Sequence, residues 1–66
     1  MQYYIELTNT EINYLISEHI HSERDRQIMR LRMVDGLTYE RIAEAVGMSP
    51  AQIIRIVKRC RKMILK

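Results

Sequence analysis

Six basic side chains crowd residues 55–66: Arg55, Lys58, Arg59, Arg61, Lys62 and Lys66, and no acid follows Glu44. An arginine fork offers a fixed pair of donors to a phosphate or a base edge, whereas a lysine acts as a mobile point charge. The chemistry these groups can do is capture of a polyanion. The bias runs along the whole chain. Residues 1–22 hold Glu6, Glu11 and Glu18 and no Lys or Arg, while residues 23–66 hold all 11 basic residues against five acids. A solvated helix face would also be basic, so charge alone does not choose. Catalytic groups are scarce. No Ser/His/Asp, Cys/His or paired-carboxylate arrangement converges and no Gly-rich phosphate loop is present, so the reading is of a non-enzyme without cofactor. His19 and His21, beside Glu18 and Glu23, point about 200° apart around a helix, which leaves no metal site. His19 is expected at the edge of the core and His21 in solvent. Cys60, the only cysteine, falls on an apolar stripe and reads as a buried, inert thiol.

The basic run must be held by the stretch before it, Leu37 to Lys58. Thr38 caps a helix with apolar positions at Tyr39, Ile42, Ala43 and Val46. Gly47 ends it in the left-handed conformation and Met48 plugs the corner. Ser49 caps the next helix, with Pro50 at its first position, where a missing N–H does no harm. Ile53, Ile56, Val57, Cys60 and Ile64 then recur at spacings of three and four. Ala43 is small where two crossing helices come closest. This ordered set specifies a helix-turn-helix with core residues 38–58, a device that lays its second helix, residues 49–64, in the DNA major groove.

If the isoleucine stripe faces inward, Ala51, Ile54, Arg55, Lys58, Arg61 and Lys62 form the opposite face. Arg55 can bond O6 and N7 of guanine together. Ala51 and Ile54 suit thymine methyls, Gln52 an adenine or a phosphate, and Lys58 the boundary between bases and backbone. Arg59, Arg61 and Lys62 are expected on phosphates, with Ser49 and the free N–H groups near Thr38 and Tyr39 as further phosphate donors.

Upstream, Thr8 and Glu11 form a capping box ahead of Ile12, Leu15, Ile16 and Ile20. Ser22 opens another helix with Glu23 and Asp25 in its first turn, where negative charge meets the positive end of the dipole. Ile28, Leu31 and Val34 give its core edge, Met29 and Met33 fill gaps, and Arg24, Arg26, Arg30 and Arg32 point mainly outward. Asp35-Gly36 closes it and Leu37 folds back. The expectation is an all-α, four-helix domain spanning 1–66, with helices near 9–21, 23–35, 38–46 and 49–64. Residues 1–7 form an N-terminal extension. There Tyr3, Ile5 and Leu7 alternate with polar neighbours, so it reads equally as a short strand awaiting a partner or as an irregular lead-in. No run of about 18 apolar residues suggests a membrane span, and MQYYIEL lacks the features of a signal peptide. With a lone cysteine, the expected compartment is the cytoplasm.

From Ser22 onward, the chain resembles region 4 of bacterial sigma factors, the domain that reads the upstream promoter element. The carrying residues are DRQIMRLRMVDGLTYERIAEAVGMSPAQIIRIVKRCRKMI, residues 25–64. The resemblance implies a regulator of transcription of the small phage or mobile-element type. It also implies RNA polymerase as an alternative partner, the chain then acting as an adaptor or decoy. DNA recognition in phage packaging would use the same helices. No part matches the sigma region that melts the downstream element, which excludes a complete sigma factor. Pro50, Ala51 and Ile54 stand where housekeeping members carry charged base-contacting residues, so the target sequence differs. A single helix reads few base pairs, so a homodimer is expected. Tyr3, Tyr4, Ile5, Met63, Ile64 and Leu65 are candidates for its surface; the alternative is that the C-terminal residues pack on the first helix.

Overall fold

A hydroxyl stands ahead of each of the four helices. The computed structural model describes residues 8–64: α1 (Asn9–His19), α2 (Glu23–Met33), α3 (Tyr39–Val46) and α4 (Pro50–Ile64). The strand reading of residues 1–7, and the contact roles given to Tyr3, Tyr4, Ile5 and Leu65, lie outside the described residues. Thr8 Oγ1 accepts from the Glu11 N–H at 3.2 Å while the Glu11 carboxylate accepts from the Thr8 N–H at 2.9 Å, the expected capping box. The Thr8 N–H also holds the Glu11 carboxyl below the usual glutamate range. Ser22 and Thr38 cap α2 and α3 in the same way, through the Asp25 and Arg41 N–H groups.

The helices end on backbone geometry. Gly36 and Gly47 have φ of +70° and +72°, the region in which an L side chain is strained. Beyond Gly47, the Met48 N–H reaches back to the Ala43 carbonyl at 3.0 Å, and Met48 packs against the core from the turn. Two ends come earlier than expected. α1 stops at His19 because Ile20 adopts an extended backbone, which turns its side chain into the core at 2% exposure. α2 stops at Met33, where the Asp35 and Leu37 N–H groups bond back to the Arg30 and Leu31 carbonyls.

One core joins all four helices: Ile16, Ile20, Ile28, Met29, Ile42, Ala43, Ile53, Ile56, Val57, Cys60 and Ile64. α2 and α4 each pack on all three of the other helices, so together they form the centre of the domain. Ala43 of α3 is buried in this core.

Several expectations are corrected. His19 is exposed; it sits on the last residue of α1, and Ile20 takes the inward place beyond it. Met29, expected to fill a gap beside the core edge, is a fully buried member of the core itself. Ile64 is buried in the shared core rather than held on an external surface; Met63 beside it is exposed. Three of the α2 arginines do not project freely. Arg26 Nε donates to the Ile20 carbonyl at 2.6 Å, which holds the α1–α2 connection. Arg30 bonds Asn13 and Ser17 of α1 at 3.2 and 3.3 Å. Arg32 donates to the Leu37 carbonyl at 2.9 Å and stacks 4.4 Å over the Tyr39 ring, tying α2 to the start of α3.

Candidate nucleic-acid interface

The outward face of α4 follows from what its inward face buries. With Ile53, Ile56, Val57, Cys60 and Ile64 in the core, a rotation of about 100° per residue puts Ala51, Arg55, Lys58 and Lys62 along the opposite stripe. All four are exposed, and Arg61 lies exposed at one flank. Arg55, Lys58, Arg61 and Lys62 have no hydrogen-bond or ion-pair partner among the described residues. Ile54 is half-buried, which corrects its reading as an openly exposed side chain.

Two other α4 residues are engaged within the chain. Gln52 Oε1 accepts from the Ser49 N–H at 3.0 Å and from Ser49 Oγ at 3.2 Å, while Ser49 Oγ accepts from the Gln52 N–H at 3.3 Å. Ser49-Pro50-Ala51-Gln52 is therefore a second capping box, like that at Thr8. The spacing alone marked this box, yet Gln52 was read only as a DNA contact. Arg59, expected on phosphate, donates from Nη2 to Asp25 Oδ2 at 2.8 Å. Its side chain remains largely exposed, so part of the guanidinium still meets solvent.

Asp25 and Arg24 are the groups that sequence reasoning placed least well. Asp25 was assigned to the α2 dipole, and its backbone N–H does cap on Ser22. Its carboxylate is buried and bonded to both Arg24 and Arg59. Arg24 lines an open recess of about 200 Å³ together with Met48, Gln52, Arg55, Ile56 and Arg59. Three guanidinia from two helices thus border one concavity at the start of the α4 face. A recess of this charge admits an oxyanion.

Below it, burial pushes the Cys60 thiol above its ordinary value. The nearby Asp25 carboxylate adds to this effect and Arg59 opposes it. The thiol is neutral and inside the core, as its place on the stripe implied. Among the described residues no three His, Cys, Asp or Glu side chains gather around a common metal position.

The start of α3 carries the remaining residues expected to meet phosphate. Thr38 Oγ1 is occupied by the Arg41 N–H, so what Thr38 and Tyr39 offer outward is their backbone N–H groups at a helix N-terminus. Tyr39 itself is half-buried beneath Arg32. No helix among the described residues is long and apolar enough to cross a membrane.

Residues 22–64 match the family model described as sigma-70, region 4. No curated protein and no solved structure matches the chain. The match starts at Ser22, the cap of α2, and covers α2, α3 and α4, so it includes every residue that lines the recess and the outward stripe. The chain belongs to the sigma-70 region 4 family, a family of helix-turn-helix DNA-binding domains rather than enzymes.

Proposed function

We propose that this chain is a sequence-specific double-stranded DNA-binding protein that regulates transcription, with α4 lying in the major groove. The observation that carries the reading is the division of α4. Five apolar side chains face the other helices, and Arg55, Lys58 and Lys62 face away with no partner among the described residues. In this reading Arg55 reads guanine, and Ala51 and the outer edge of Ile54 touch thymine methyls. Lys58 sits where bases give way to backbone, and Arg61 and Lys62 hold phosphates. The N–H groups of Thr38 and Tyr39 receive a phosphate across the groove. Gln52 and Ser49 act first as the cap that aims the helix. Their contact with DNA uses whatever donor capacity the cap leaves.

In-vitro selection from random duplexes tests the proposal. Enrichment of one short motif supports it, and a pool no different from the input after several rounds overturns it. Sigma region 4 domains also bind RNA polymerase. This family property supports a second reading, in which the chain docks on polymerase as an adaptor. Co-purification with core polymerase in the absence of DNA would favour that reading, and its failure would remove it.

A further inference from the structure

Asp25 is the only charged side chain buried among the described residues, at 6% exposure. Its Oδ1 accepts from Arg24 Nε at 3.1 Å, and its Oδ2 accepts from Arg59 Nη2 at 2.8 Å. The second bond crosses from α2 to α4 over 34 residues of sequence. One carboxylate thus restrains two of the three guanidinia bordering the recess, and of the three Arg55 alone has no partner among the described residues. Nothing in the α2 dipole requires this. An aspartate serving only the first turn would be solvated, and the structure buries it beneath two arginines.

We infer that Asp25 is a positioning residue for DNA discrimination: it pins Arg24 and Arg59 at fixed places on the recess rim and lowers the affinity of that rim for arbitrary phosphate. The inference rests on the DNA-binding reading above. Phosphate contacts carry no sequence information, but they fix the register of a protein on the duplex. Pinned donors allow one register, the one that delivers Arg55 to its base. Unpinned donors take any nearby phosphate and tolerate several registers. The buried negative charge also offsets the three neighbouring cations, and removing it strengthens the field that attracts DNA of every sequence.

The test uses Asp25→Asn in the full chain, close in shape and still able to accept a hydrogen bond from arginine. Affinities are measured for the selected duplex and for a random duplex across a salt series. Random-duplex affinity should rise about fivefold at 0.15 M salt and its log–log salt slope steepen by roughly 0.9, the signature of one more phosphate engaged. The selected duplex should gain less, so the ratio of the two affinities falls. A merely structural role would lower both affinities by one factor and leave slope and ratio unchanged, which overturns the inference. Arg59→Lys provides a second reading of the same device in case the first variant does not fold. It keeps the charge and loses the fork, so the slope stays and the ratio falls; an unchanged ratio overturns the inference. Wild-type protein with no preference among duplexes would defeat the DNA reading itself, an outcome distinct from both.

Discussion

α2 and α4 are both rich in arginine, and they use it in opposite ways. In α2, Arg26, Arg30 and Arg32 are half-buried, and each bonds a group on another part of the chain: the Ile20 carbonyl, Asn13 and Ser17, and the Leu37 carbonyl. They work as staples that tie α1 and the α2–α3 connection to one helix. In α4, Arg55, Lys58, Arg61 and Lys62 are exposed and partnerless among the described residues. Between the two classes stands Arg59, shared between Asp25 and solvent. Charge counted from sequence therefore overstates what is available to a polyanion. What matters is whether a carbonyl, amide or carboxylate of the same chain already occupies the fork.

The contrast collapses if α4 loses its seat. Ile53 is fully buried, and Ile53→Ala should cost about 2–5 kcal/mol through lost burial and the cavity left behind. For a domain of 66 residues this approaches the whole stability. Thermal or urea unfolding followed by circular dichroism should show a large loss of midpoint, with DNA binding lost alongside it. A cost below about 1 kcal/mol would mean that Ile53 does not seat α4 in the shared core.

A matched pair of truncations separates the two arginine classes directly. Arg30→Ala should lower stability by about 1 kcal/mol, since two inter-helix hydrogen bonds vanish, and should leave DNA affinity of the folded fraction unchanged. Arg55→Ala should do the reverse. Stability should stay within about 0.5 kcal/mol. Affinity for the selected site should fall by about 1–3 kcal/mol, with a much smaller loss on random duplex. Equal losses on both duplexes would reduce Arg55 to a backbone contact. A DNA defect in Arg30→Ala larger than its stability defect would erase the distinction between staples and readers.

How far these roles were legible depends on their range. Gly47, Met48, Ser49 and the Ile53–Ile64 stripe follow from spacing, because caps and helical faces are set within a few residues. The Ser49–Gln52 box is equally local, and it occupies the Gln52 side chain that its helix position alone would offer to a base. Ile20 sits inward as its place in the pattern implied, but His19 falls outside the core, because helix ends are decided by one residue's backbone, finer than a periodic pattern resolves. The Arg30–Asn13 and Arg59–Asp25 bonds were out of reach for another reason. They join residues 17 and 34 positions apart, and their existence depends on how α1, α2 and α4 dock. Local rules place a residue on a face; only docking decides what that face meets.

Arg61 provides the mildest check of the contrast, and the most direct one for a group assigned to phosphate alone. It lies at the flank of the outward stripe, exposed and without a partner among the described residues. If it meets backbone and nothing else, Arg61→Ala should weaken every duplex by the same factor. The log K against log salt slope should then flatten by roughly 0.9, because one fewer condensed counterion is released on binding. Stability should hardly move, since no intramolecular bond is lost. An unchanged slope would take Arg61 out of the phosphate set. A loss confined to the selected duplex would move it among the base readers, which would place more of the helix in the groove than the Arg55 stripe alone requires.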